Sequence, residues 1–359
     1  MLSPLQSKLG PDLGEPGSVS VVVPSYNHEQ FIERTLRSIF AQTLQPKDLL
    51  VIDDGSIDES AAIIERVLKD APFPAQLVTR ENRGLSATLN EAFAHRCGSP
   101  RVSKGVSEPQ RLESTIRNPQ SAIDPAFFAY LGSDDIWLPN FLERRIALLN
   151  NRPNAVLAYG NAYSIDAEDR IIDCSADWGC YTDGDARRML LDGIAPLSPT
   201  VVYRSAAIKD LRWNENSRLE DYEFYLRLSD RGEFAYDPEI LSAWRQHGSN
   251  ASEGSLMMME EKISALERTA PLFDLSPADL DHLIRLARFR GAQELMRRGH
   301  KKAAMKFGLP NLTVAKSLNE TIRFLAGLAT PNAILDRRRQ AARAAATANY
   351  GGVAKARTK

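Results

Sequence analysis

Val51-Ile52-Asp53-Asp54-Gly55-Ser56 and Phe128-Ala129-Tyr130-Leu131-Gly132-Ser133-Asp134-Asp135 are two apolar runs, each closing on a pair of aspartates. Short apolar runs bounded by Gly and Ser read as buried strands. In an open α/β sheet, ligands bind outside the carboxyl ends of the strands, so both acidic loops should open onto one crevice. Adjacent unpaired carboxylates repel and are costly to desolvate. A divalent cation with a diphosphate reverses that balance: hard oxygen ligands suit Mg²⁺ or Mn²⁺, and the cation neutralises phosphate charge.

Working outward, Val19-Ser20-Val21-Val22-Val23 is a β-branched run ended by Pro24 and reads as a first strand. Asn27 with Gln30, and Ser56 with Glu59, have capping-box spacing, which predicts helix starts there. The first of these helices carries Phe31, Ile32, Leu36, Ile39 and Phe40 on one face and ends near Gln42. Leu49–Ile52, Gln76–Thr79 and Phe127–Leu131 read as further strands, with helices over 56–68, 85–96 and 139–149 between and after them. This alternation predicts an α/β fold with a mostly parallel sheet flanked by helices. Residues 1–17 read as an unstructured leader. The stretch near 98–124 is polar, scattered with Pro and Gly and longer than usual connections, which marks a surface insertion. From Leu256 onward the texture is helical, with Pro271 and Gly299 as breaks, and 288–310 suggest one helical hairpin of tetratricopeptide type. Expected boundaries are 18–253 for the sheet domain, 254–336 for the helical C-terminal region and 337–359 for a basic flexible tail.

Of the 359 residues, 43% are hydrophobic and 25% charged, as in an ordinary globular protein. A net charge of −1 supplies no overall field for nucleic acid. The balance is uneven, however, since seven basic residues and no acidic one follow Asp336. Cys97, Cys174 and Cys180 lack metal-ligand spacing and suit a reducing compartment. The first 17 residues lack a basic start with an apolar core, and no stretch approaches ~18 consecutive apolar residues. The expectation is a cytoplasmic protein.

The ordered set Val22-Val23-Pro24-Ser25-Tyr26-Asn27, Asp53-Asp54-Gly55-Ser56, Asn82-Arg83-Gly84, Ser133-Asp134-Asp135, Glu220-Asp221 and Arg245-Gln246-His247 resembles the family 2 glycosyltransferases over residues 19–250. The resemblance implies a GT-A type, Rossmann-like domain, here with a C-terminal helical extension that lies outside it. It implies an inverting transfer of sugar from a nucleotide-sugar, a UDP-sugar above all, to a hydroxyl of a carbohydrate or glycolipid acceptor in surface polysaccharide or glycolipid synthesis. Asp134 then matches the ligand for Mn²⁺ or Mg²⁺, with Asp135 beside it and His247 as an imidazole ligand that Mn²⁺ tolerates better. Asp53 matches the residue that accepts a hydrogen bond from uracil. Asp54, Pro24, Tyr26, Ser133 and Arg83 complete the implied nucleotide site. Asp221 matches the general base, and Glu220 the residue that orients it or the acceptor.

The chain departs from the family pattern at Gly132, where many relatives carry Asp, and at Leu89, often Arg. The Gln-x-x-Arg-Trp signature of processive synthases is absent. His28, His95, His282 and His300 have no ligand spacing and are expected to be exposed; the four tryptophans are expected in the core. No Gly-x-Gly-x-x-Gly follows the first strand and no Gly-Lys-Ser/Thr occurs, which disfavours a Rossmann dehydrogenase and a P-loop kinase. A sugar nucleotidyltransferase, or a non-catalytic binding or scaffold protein on the same fold, remains as an alternative. Ile322, Phe324, Leu325, Leu328, Ile334 and Leu335 precede Arg337-Arg338-Arg339, a pattern that fits either a helix packed on the sheet domain with a frayed, soluble Arg- and Ala-rich end or peripheral contact with anionic lipid at the inner face of the cell membrane.

Overall fold

The valine run of the first strand, β1 (Glu15–Ser25), is enclosed on both faces, and its alternation decides which helices cover it. Val22 points into one apolar cluster with Leu50, Ile52, Phe128 and Tyr130, whereas Val19, Val21 and Val23 point into another with Leu49, Val51, Phe127 and Ala129. A strand's side-chain period of two thus splits one apolar run between two cores. The computed structural model describes residues 5, 7–9, 15–96, 124–247 and 254–353.

Chain order runs β1, α1 (Ile32–Phe40), β2 (Asp48–Asp53), α2 (Ser60–Leu68), β3 (Ala75–Thr79), α3 (Leu85–Arg96), β4 (Pro125–Tyr130). Then follow β5 (Ile136–Trp137), α4 (Phe141–Asn150), β6 (Ala155–Ile165), β7 (Ile171–Cys174), α5 (Arg187–Leu191), β8 (Val202–Arg204), α6 (Ser205–Ile208), α7 (Glu220–Ser229) and β9 (Glu233–Arg245). One sheet holds them in the order β3-β2-β1-β4-β8-β6-β9-β5, with β7 on β6. β1 to β4 pair in parallel, and so do β6 and β9; β8, β7 and β5 run antiparallel to their neighbours. The sheet is therefore mixed, because β6 returns through the short loop 166–170 as a hairpin, which only antiparallel pairing allows. Helices α1, α2 and α4 cover one face; α3, α5 and α7 cover the other.

Five C-terminal helices follow: α8 (Ser255–Thr269), α9 (Pro277–Arg297), α10 (Lys301–Gly308), α11 (Leu318–Ala329) and α12 (Asn332–Tyr350). Ala265, Leu266, Phe273 and Leu283 belong to the same cluster as α7, so the first of these helices extend the core of the sheet domain. Beyond it, Leu286, Phe289, Leu295 and Phe324 form a cluster of their own. The α9–α10 hairpin turns at Gly299, whose φ of +87° favours glycine. Trp137 and Trp213 are fully buried, as expected, while Trp178 stands exposed.

Two expected boundaries differ in the structure. The leader's limit at residue 17 falls inside β1, because Glu15 already pairs with Pro125 of β4. The first part of the 337–359 tail is helical: α12 runs through its start to Tyr350, with helix-forming Ala and Arg. The 98–124 insertion lies outside the described residues except for Asp124, as do 354–359. Among the described residues, no helix is long and apolar enough to cross a membrane.

Candidate active site

The capping boxes expected at Asn27 and Ser56 do not form; those polar side chains join the two loops to each other instead. Helix α1 begins at Ile32 without a side-chain cap. Asn27 takes φ +53°, a conformation Asn tolerates, and its Oδ1 accepts the Ile57 amide at 2.9 Å. Ser56 Oγ accepts the Asn27 amide (2.9 Å), Ser60 Oγ the His28 amide (2.9 Å) and Asp58 Oδ2 the Glu29 amide (3.0 Å). Local polar groups compete for the same donors, and here the inter-loop partners win. The loops after β1 and β2 thereby become one wall.

Against that wall stands Asp134, in the loop after β4. His247 Nε2 lies 3.0 Å from its Oδ2, and His28 Nδ1 lies 3.9 Å from its Oδ1. Each residue of this trio offers one ligand atom, and the three atoms lie within 4.8 Å of one another. The expectation that His28 is an exposed bystander is therefore corrected. Its ring is half-buried, bonds Ser133 Oγ at 2.7 Å and packs edge-on to His247. Burial lowers the His28 pKa, partly against the pull of Asp134, so the ring stays neutral as a ligand must. A cavity of about 300 Å³ adjoins, lined by Asn27, His28, Phe31, Asp58 and His247. Two imidazoles and a carboxylate fit a divalent transition metal such as Mn²⁺.

Asp135 does not join this cluster. Its Oδ1 accepts the Arg245 amide at 2.9 Å, and the side chain is buried. Burial, and after it the charge of Asp134, push Asp135 well above the ordinary carboxylate range. Its work is to pin β9 to the Asp134 loop. Arg245, fully buried, reinforces this by donating to the Asp134 carbonyl at 2.7 Å, with its guanidinium over the Phe31 ring. At Gly132 a Cβ would meet Asp134 Oδ1 at 2.9 Å and Asp135 Oδ2 at 3.0 Å. Glycine at this position thus leaves room for both carboxylates.

The predicted nucleotide residues line the ends of β1 and β2. Pro24 is buried beside Ile52, and Tyr26 stands 46% exposed at the rim. Asp53 is buried and accepts Ser56 Oγ (2.5 Å) and the Ser56 amide (3.1 Å). Asp54 turns the other way: it accepts the Arg83 and Gly84 amides at 2.9 and 2.8 Å and pairs with Arg80 at 2.6 Å. It therefore shapes the 80–84 loop. Gly55 between them has φ +79°, and a Cβ there would lie 2.8 Å from the Asn82 amide nitrogen. The Arg83 guanidinium is exposed and pairs with Glu91, whereas Arg80 is half-buried against Asp54.

Glu220 and Asp221 open α7, where the helix dipole favours acids. The Tyr130 hydroxyl, at the end of β4 four residues before Asp134, donates a short hydrogen bond to Asp221 Oδ1. Desolvation raises both carboxyls, Asp221 to about 6 and Glu220 to about 8, with the neighbouring Asp221 charge adding to the latter. A base that is ionised just below neutrality is what this arrangement offers.

Residues 20–98 match the model described as Glycosyl transferase family 2. Over that segment the chain is similar to family 2 glycosyltransferases, and its fold is of the GT-A type. One relative, the UDP-Glc:alpha-D-GlcNAc-diphosphoundecaprenol beta-1,3-glucosyltransferase of Escherichia coli, is 30% identical over 144 residues, or 40% of this chain and 45% of that enzyme. The chain likewise spans less than half the length of several other curated relatives. The S. aureus TarS 1–349 structure in complex with UDP-GlcNAc is similar in fold, with a TM-score of 0.53 at 17% identity, covering 86% of this chain and 79% of that one. The mannosyltransferase from Pyrobaculum calidifontis in complex with GDP-Man and Mn²⁺ gives 0.52 at 15%, covering 96% and 90%.

Proposed function

We propose that this chain is an inverting, non-processive glycosyltransferase that moves a sugar from a UDP-sugar to a hydroxyl of a carbohydrate or glycolipid acceptor, in surface polysaccharide or glycolipid synthesis. The observation that carries the reading is the His28–Asp134–His247 cluster at the carboxyl edge of the sheet, beside the strand that ends in Asp53. A relative named for UDP-Glc and a fold neighbour in complex with UDP-GlcNAc support the donor class. The same relative's diphosphoundecaprenol substrate supports a lipid-linked acceptor.

His28, Asp134 and His247 would hold the cation. Bound there, a divalent metal supplies Lewis-acid stabilisation of the departing diphosphate. Asp53, Pro24 and Tyr26 hold the base, and Ser133 orients His28 through its hydroxyl. Asp221 takes the proton of the acceptor hydroxyl as its oxygen bonds to the anomeric carbon. The bond to phosphate breaks on the opposite side and leaves its electron pair on the diphosphate, which inverts the centre. Glu220 keeps its proton near neutrality and serves to orient Asp221 or the acceptor.

Calorimetry with UDP, with and without Mn²⁺, tests the reading. The parent should bind UDP more tightly with Mn²⁺. Asp134→Ala should abolish that enhancement, and His28→Ala should weaken it while Asp135→Asn changes it less. An unchanged Mn²⁺ enhancement in Asp134→Ala refutes the cation site.

A further inference from the structure

The last described turn of the chain folds back against the far side of this site. Helix α12 fully buries none of its own side chains, and Leu335 near its start and Tyr350 at its end are only partly buried. Its end is anchored nonetheless. Thr347 Oγ1 donates to the Ile171 carbonyl at 2.7 Å. The Ile171 amide donates to Gly351 O at 3.2 Å, and the Val353 amide to Asp169 O at 3.3 Å. Val353 is 2% exposed and closes a small apolar cluster with Ile136, Ile165, Ile171 and Ala243. Ile136 follows the Asp134-Asp135 pair directly, and Ala243 precedes Arg245 by two residues on β9.

The loop that the tail grips is joined to the site by charge. Asp169 adopts φ +64°, a left-handed conformation that Asp tolerates, in a turn where Asp166 Oδ1 accepts the Glu168 and Arg170 amides. Its carboxylate lies 2.6 Å from Arg245 and 2.6 Å from Arg34 of α1. Arg245 also takes the Asp166 carbonyl at 2.7 Å, and it holds the Asp134 carbonyl from the other side. A buried guanidinium keeps one position only while all its acceptors stay in place.

We infer that Thr347–Val353 is a strap that fixes the 166–170 loop and, through Asp169 and Arg245, sets the positions of Asp134 and His247. These strap residues are positioning residues; none is catalytic. The effect on cation binding rests on the reading of the site given above, whereas the effect on the loop does not.

Hydrogen exchange and Mn²⁺ calorimetry on the full chain separate the two. The Arg245 amide is held by Asp135 and the Gln246 amide by the Ile165 carbonyl, so both report on the clamp. Val353→Asp should speed exchange at both amides, leave β1 and β2 unchanged and weaken Mn²⁺ binding roughly 10-fold, the lower end for lost supporting contacts around a metal. Val353→Ile should behave as the parent. Thr347→Val, which removes one hydroxyl and keeps the shape, should shift both readouts in the same direction by less. It decides the matter if Val353→Asp loosens the whole sheet. Unchanged exchange at Arg245 and Gln246 overturns the strap, and so does faster exchange with unaltered Mn²⁺ affinity. A parent that binds no Mn²⁺ sinks the cation reading instead, and the exchange data still decide whether the tail holds the loop.

Discussion

Asp221 and Glu220 lie side by side at the first turn of α7, and desolvation raises both above the ordinary carboxylate range. Two interacting acids titrate as a pair, so the lower apparent value belongs to the first proton lost, which Tyr130 favours taking from Asp221. If Asp221 is the base, it works only when ionised; kcat should climb as the pH rises through about 6 and level off above it. Asp221→Asn should keep donor binding yet lose transfer by roughly 10²-fold or more, the scale usual for a positioned base. Equal turnover in variant and parent, or a pH profile without that rise, removes Asp221 from the mechanism. For the fold the sign is opposite. A carboxyl raised in the native state supports stability below its unfolded value and loses that support as the pH rises through its native value. The ionised Asp221 that catalysis needs is thus bought with some stability.

At the scale of elements, the site is held by side chains that bridge them. Gln42, just past the end of α1, is buried; its Nε2 donates to the Ser38 and Leu138 carbonyls at 3.1 and 2.8 Å, and its Oε1 accepts the Leu142 amide at 3.0 Å. It joins α1, which carries the His28 wall, to the start of α4 and the end of the β5 strand that follows Asp135. Gln42→Met keeps most of the volume but strands the buried Leu142 amide, which costs about 1–3 kcal/mol when left without a partner, while the Leu138 carbonyl keeps the Phe141 amide. Urea denaturation should show a loss within that range, with the slope unchanged. A midpoint equal to the parent's would mean that water or a rearranged loop replaces the bridge. The stitching of the 26–31 and 56–60 loops follows the same logic, since each bond there spans two connections that neither could order alone.

Across the whole molecule, the helical region turns apolar surface outward. On α11, Phe324 faces inward, while Leu318 and Ile322, four residues apart, are 75% and 52% exposed and Leu325 continues their stripe. Helical spacing puts these three on one side. Exposed Arg337, Arg338, Arg339 and Arg343 follow on α12. Apolar surface edged by basic residues suits an anionic lipid surface, each charge adding about 1 kcal/mol near it. Such a face would bring the chain to the lipid-linked acceptor of the proposed function. Full-length protein should float with vesicles containing anionic lipid, and the Leu318→Asp, Ile322→Asp double variant should not. These changes leave the tail's anchor on β7 intact, unlike removal of α12. Equal partitioning of the two proteins ends the membrane proposal.

The sequence by itself determined what is local: the Val19–Val23 strand, the alternation of strands with helices, the acid pairs at two strand ends and the Glu220-Asp221 pair at a helix start. Each is written in neighbouring residues through a period of two, a period near 3.6 or a turn. Tertiary structure alone decided which of those residues meet. His28 reaches Asp134 because β1 and β4 are adjacent parallel strands whose following loops share an edge. Asp135 turns from that cluster because the Arg245 amide, on a strand paired through β5, is the nearer donor. Asn27 leaves its helix to bond Ile57, and the tail returns to β7. Such choices depend on competition among partners distant in sequence, and spacing rules built on neighbours carry no information about them.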